Sequence, residues 1–351
     1  MLPAIKKNEV VFMHLPSVRY QDLFRFRSAW MGFAILWVTV FHSSLNWSQI
    51  KWFQTFGYGG VDIFFFASGL GCYYSLKKQP DPLIFFAKRV RRILPTYYAV
   101  LVVWLALQIF VFRSGITALE ILGNLFCTGT FTSADHQFNW YVSAVWVSYL
   151  LAPLFALYLD CSRRFRLFLP ALLLLAISTT FLGSEWSLML FATRLPIFYA
   201  GMLFAKCAQQ QETIRWRTLA GSLLVSVAGF ALLLLCYIRF PFTVIEWGMF
   251  WYPFLLITPG LCIALSLLCM LLQRVVRWPI SLLATLGSAS FEMYMIHLTL
   301  FDGITYLREQ DIYQPNNTFW CAAILLCCVL AVLLHKLIAW VESRFARPVT
   351  V

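Results

Sequence analysis

The feature that most constrains this chain is its series of long apolar segments. Residues 29–40, 97–112, 146–158, 167–181, 223–237, 251–272 and 321–334 are mostly aliphatic or aromatic, with almost no charge. A helix spans bilayer hydrocarbon with about 20 mostly apolar residues, and a single soluble core does not need so many blocks of that length. Of the 351 residues, 61% are hydrophobic and 12% charged, against roughly 25% charged in a soluble chain. A chain this apolar could not cover a water-facing surface with polar groups. The sequence therefore reads as an all-α, polytopic helical membrane protein.

About ten transmembrane helices are expected, at 28–47, 58–76, 94–113, 139–159, 166–183, 189–206, 217–238, 251–272, 281–301 and 319–340. Residues 1–27 lack the uninterrupted apolar stretch of a secretory signal peptide and read as a cytoplasmic lead. Residues 28–340 form one membrane-embedded domain and 341–351 a cytoplasmic tail. An even number of spans puts both ends on one side, and Lys and Arg accumulate in cytoplasmic loops. With the N-terminus inside, all of the 27 basic residues fall on the inner side except Lys51, Arg113, Arg194, Arg239 and Arg308. The net charge of +12 is then a topology signal and calls for no nucleic acid. The ten cysteines lie mostly in or beside spans, where Cys acts as a small hydrophobe. They show no zinc spacing and no disulfide framework, and no metal site is expected. Loops are short except 114–138, whose residues 116–126 are expected to form a small re-entrant or surface helix.

The informative residues are those a membrane excludes. Ionisable groups inside spans are costly and each is a functional-site hypothesis; here they are His42, Asp62, Arg194, Glu292, His297 and His335. The bland alternatives are snorkelling at a span end and a neutral, hydrogen-bonded packing histidine. Glu292, deep in its span, and His335, beside Lys336, are read as structural. His42, Asp62, Arg194 and His297 come from four different spans yet fall at one depth, near the outer side. Asn139, Trp140 and Tyr141 open a fifth span at that level. Equal depth is what a shared polar cavity requires.

Residue types narrow the roles. A neutral His suits general-base work near neutral pH, and a nearby Asp can orient it and stabilise its imidazolium. Arg stays charged, which suits it to anion binding or charge stabilisation. Such a set fits group transfer to a hydroxyl, and it fits a proton-coupled transporter equally well.

Several segments, in order, resemble the integral-membrane acyltransferase type 3 family of bacterial O-acyltransferases. They are RSAWMGFAILWVTVFHS (27–43), GGVDIFFFASG (59–69), FFAKRVRRILPTYY (85–98), NWYVSAVWVSYLLAPL (139–154), RLPIFYAGMLFAK (194–206) and SASFEMYMIHLTLF (288–301). The resemblance implies transfer of an acyl group, most often acetyl, onto a hydroxyl of an envelope carbohydrate or glycolipid in the bacterial inner membrane. It implies His42 as the essential histidine, with Asp62, Arg194 and His297 as further catalytic residues. Arg89 and Arg92 match a basic inner loop, a cradle for the phosphates of acetyl-CoA or another acyl-CoA donor. No permanently bound cofactor is implied. The expected partners are membrane lipid, the acyl-CoA donor and the acceptor; the oligomeric state is not legible.

One position departs from the family pattern. Many members carry an Arg eleven residues before the histidine, and this chain has Met31 there. The nearest upstream Arg is Arg27, roughly 22 Å down the helix from His42 at 1.5 Å per residue. It is expected to serve the donor's cytoplasmic end, or else only topology. In the resulting scheme His42 takes the acceptor's proton, Asp62 steadies the imidazolium and Arg194 or His297 polarises the carbonyl. Trp140, Tyr141 and Trp146 are candidates for a sugar-stacking wall. The rival readings are a transporter or flippase for an envelope lipid or small metabolite, and a scaffold that has lost activity. No inverted pair of broken segments favours the transporter.

Overall fold

Apolar blocks must satisfy their backbone hydrogen bonds internally in hydrocarbon, and in the computed structural model nearly every one is a helix. The structure describes residues 18–132, 136–161, 168–181, 186–210, 213–239 and 252–345. In chain order the helices are α1 (Tyr20–Phe24), α2 (Arg27–His42), α3 (Lys51–Thr55), α4 (Gly60–Lys78) and α5 (Pro82–Ala106). Next come α6 (Ala118–Leu125), α7 (Gly129–Thr132), α8 (Trp140–Cys161), α9 (Phe168–Phe181), α10 (Trp186–Ala192) and α11 (Leu195–Gln210). The last are α12 (Trp216–Arg239), α13 (Tyr252–Leu272), α14 (Trp278–Ser288), α15 (Ser290–Glu309) and α16 (Asn317–Phe345). Among the described residues the sheet content is one two-stranded ladder, β1 (Val18–Arg19) antiparallel to β2 (Thr213–Ile214), pairing Val18 with Ile214. Among the described residues, six helical segments are long and apolar enough to cross a membrane: Pro82–Val111, Trp140–Cys161, Met189–Gln210, Trp216–Arg239, Tyr252–Leu272 and Asn317–Arg344. The protein is a multi-pass helical membrane protein.

Helix α4 falls outside that set and sits inside the bundle. A helix apolar all round is a buried one, and α4 buries residues on every face, from Val61 and Asp62 to Tyr73 and Leu76. It packs on α11 through reciprocal glycines. A side chain on Gly69 would overlap the Phe198 carbonyl, and one on Gly201 would overlap the Phe66 carbonyl. The same device joins α2 to α14, Gly32 against Leu283 and Gly287 against Ser28. Small residues of this kind let membrane helices approach to backbone contact. By contrast α12 and α16 expose Leu224, Val227, Ile238, Leu325, Val329 and Leu333, the faces a membrane would cover.

Three local expectations are revised. The sequence from 281 to 301 is not one helix: α14 and α15 meet at Ala289, in the small-residue run Gly287–Ser290. The basic stretch Lys88–Arg92 is not a loop. Helix α5 begins six residues before it, where Asp81 caps the amides of Leu83 and Ile84 and Pro82 occupies the first turn, both helix-start signals. The helix continues through Pro95 and ends in a π-helical turn, Leu107–Val111. The third revision concerns the lead. Residues 1–17 lie outside the described residues, but from Val18 the chain is tied into the bundle by β1 and by buried Tyr20, Leu23 and Phe26. The expected helix within 116–126 is α6, opened by a capping box between Thr117 and Glu120.

Candidate active site

Helix α2 ends at His42, where Ser43 turns extended and its hydroxyl bonds the Val40 carbonyl at 2.7 Å. Gln54 donates to the Ser43 carbonyl at 2.8 Å and Trp37 Nε1 to the Phe53 carbonyl at 2.6 Å, so the loop after α2 holds the helix end in place. His42 Nδ1 lies 3.0 Å from His297 Nε2, and His297 Nδ1 lies 2.9 Å from the Met293 carbonyl. A carbonyl only accepts, so His297 Nδ1 carries the hydrogen and its Nε2 is a lone pair. His42 Nδ1 must then be the donor, and its remaining nitrogen, Nε2, is the free base. His297 is wholly buried whereas His42 is exposed, opening into a cavity of about 570 Å³.

Arg194, Trp140, Tyr58, Gln137 and Tyr237 line that cavity with His42. Arg194 sits between α10 and α11, buried to 1% exposure, with Nη1 donating to Thr193 Oγ1 at 2.8 Å and the guanidinium 5.7 Å over the Trp140 ring. Its Nε is 3.8 Å from Asp62 Oδ1, both side chains being shut away from water. The four titratable groups expected at one depth thus form two pairs, His42 with His297 and Asp62 with Arg194. The expectation that Asp62 steadies His42 is replaced by this pairing: a buried carboxylate needs a cation more than a neutral imidazole needs a carboxylate. The expectation that His297 polarises the carbonyl also gives way, since both its ring nitrogens are engaged.

Toward the other end of the bundle, α2, α4, α5, α8 and α15 enclose a narrow chamber. Arg27, Arg89, Arg92, Ser68, Tyr141 and Tyr149 are among its walls. Arg89 and Arg92 share a face of α5 because they are three residues apart, and Arg27 and Met31 share a face of α2 at four. The Arg27 guanidinium lies against Gly71, where an added Cβ would come within 2.9 Å of it. Arg89 stacks over Phe85 and Tyr149, 4.8 and 5.3 Å from the ring centres. The Nε atoms of Arg27 and Arg89 are buried without a hydrogen-bond partner, and among the described residues no carboxylate pairs with any of the three arginines. Arg27, Met31 and Arg92 continue into a vestibule of about 490 Å³ that also presents Lys88 and Arg91. Guanidinium groups without a paired carboxylate have the chemistry to bind an anion.

The remaining expectations divide. Trp140 lines the histidine cavity; Tyr141 lines the arginine chamber instead, and Trp146 lies behind Tyr149, ring centres 6.1 Å apart, lining neither. Glu292 and His335 are a tie between helices: Glu292 Oε1 accepts from Thr96 Oγ1 at 3.2 Å and stands 3.0 Å from His335 Nδ1. Sequence reasoning missed Tyr294, which borders both cavities. Its signal was available, because it precedes His297 by three residues and so shares its helix face.

The His42–His297 pair, the buried Asp62–Arg194 ion pair and the separate arginine-lined chamber lie within one bundle. A family model described as an acyltransferase domain matches residues 31–336, and the chain belongs to that family, the type 3 acyltransferases. The protein is an acyltransferase. No curated protein and no solved structure matches the chain. The match begins at Met31, so Arg27 falls outside it.

Proposed function

We propose that the protein is a multi-pass O-acyltransferase of the bacterial cytoplasmic membrane, with both termini cytoplasmic. It moves an acyl group, acetyl by preference, from acyl-CoA to a hydroxyl of an envelope carbohydrate or glycolipid. The observation that carries this reading is the arrangement of two chambers in series. One is arginine-lined, the other holds His42, and they open toward opposite ends of α2, about 22 Å apart by helix rise. A phosphate-bearing donor fits the first and an acceptor hydroxyl the second. Arg27, Arg89 and Arg92 hold the donor's phosphates while its thioester arm passes Ser68 and Tyr141 toward His42. The acceptor hydroxyl donates to His42 Nε2. As its oxygen bonds the carbonyl carbon, His42 takes the proton, and His42 Nδ1–H tightens on His297 Nε2. The carbon–sulfur bond then breaks and the proton passes from His42 to the leaving thiolate. Arg194, fixed by Asp62 and Thr193, faces the charge that develops on the carbonyl oxygen, in a water-poor site where such interactions are strongest. Trp140 and the unpartnered Gln137 Oε1 suit a sugar, one by stacking and the other by accepting a hydroxyl hydrogen.

Donor binding tests the reading. Purified protein in nanodiscs is expected to bind acetyl-CoA, and Arg89→Ala with Arg92→Ala to weaken binding by at least about tenfold, as loss of a charged hydrogen bond worth ~1.5–3 kcal/mol requires. Unchanged affinity in the folded double variant would remove the arginine chamber from the scheme.

A further inference from the structure

The two chambers are separate cavities that share one wall. Tyr294 lines both and is itself 2% exposed. Its ring is caged by Tyr141, His297 and Phe64, with centres 4.9, 5.4 and 6.4 Å away. The residues on either side are chemically opposed: cations without carboxylates on one, the bare His42 nitrogen on the other.

We infer that Tyr294 is the partition between donor and acceptor, a positioning residue that keeps the thioester from the His42 base and its water until an acceptor is in place. The inference rests on the acyl-CoA reading above. The cavity at His42 is wide enough to hold water, and an activated base beside water hydrolyses any thioester that reaches it. Hydrolysis joins a water oxygen to the acyl carbon, breaks the carbon–sulfur bond and releases the carboxylic acid and the free thiol, so it needs no further reactant. An aromatic ring held on three sides by other rings excludes water by bulk, and a rotamer change moves it aside when the acceptor arrives.

The test uses the full chain in nanodiscs with radiolabelled acetyl-CoA and no acceptor, reading acetate release. Tyr294→Ala and the bulkier Tyr294→Leu are expected to hydrolyse acetyl-CoA about tenfold faster than wild type, the mark of a site opened to water. Tyr294→Phe, which keeps the ring, is expected to stay at the wild-type rate. Adding His42→Ala to Tyr294→Ala is expected to return hydrolysis to baseline. The partition is overturned if Tyr294→Ala or Tyr294→Leu, folded by size-exclusion chromatography, releases acetate no faster than wild type, or if the release survives without His42. Failure of the underlying reading looks different: wild-type protein would then neither bind acetyl-CoA nor label acceptor-containing membranes.

Discussion

Asp62 and Arg194 show at the residue scale how burial dictates partnership. Both are nearly inaccessible to solvent, and their closest approach is a single contact of 3.8 Å. A buried ion pair of this kind adds little net stability, but removing one partner strands the other charge, at about 3–5 kcal/mol. Asp62→Ala is therefore expected to lower the thermal midpoint of the detergent-solubilised protein markedly. Asp62→Ala combined with Arg194→Met should recover most of that loss while remaining inactive. Equal midpoints for the single and double variants would show that the pair is not coupled. The ionisable groups that the bundle brings into pairs were legible in the sequence, because such groups in apolar spans announce themselves. Their partners were not, since residue spacing fixes depth along a helix but not which neighbour lies across the bundle. His42 and Asp62 come from adjacent helices at similar depth, yet their partners, His297 and Arg194, come from far along the chain.

Helix geometry sets the position of Arg27 at the scale of the element. Arg27 and Met31 are one turn apart on α2 and line the same two spaces. The guanidinium one turn down thus enters the chamber that an arginine at 31 would enter, and Gly71 on α4 leaves room for it. Arg27→Ala is expected to raise the KM for acetyl-CoA about tenfold with kcat little changed, as loss of uniform binding does. Met31→Arg in that background should restore it. An unaltered KM in Arg27→Ala would return Arg27 to a topology residue. Close packing of α4 on α11 makes a separate demand. Gly201→Leu must push the two backbones apart, and overpacking costs ~1–3 kcal/mol or more. A fall in thermal midpoint is expected, whereas Gly221, which has open space around it, tolerates the same change. Element type was readable from apolar run length, and the start of α5 from Asp81 and Pro82. The break at Ala289 was not, because an uncharged run of small residues looks continuous until neighbouring helices are present to pack against it.

For the whole molecule, the proposed scheme brings a charged, water-soluble donor and a membrane-side acceptor to one histidine from two separate cavities. The two chambers and the tyrosine that borders both were not legible in the sequence and required the packed bundle. The account stands or falls on His42 as the base that consumes donor. The measurement is turnover of radiolabelled acetyl-CoA by purified protein in nanodiscs supplied with glycan-containing membrane extract. Wild type is compared with His42→Ala and His297→Ala, each verified as folded. The expected result is label transfer to the extract by wild type, none above background for His42→Ala, and a rate at least about tenfold reduced for His297→Ala, which leaves the base present but unoriented. Equal label transfer by wild type and folded His42→Ala would contradict the account.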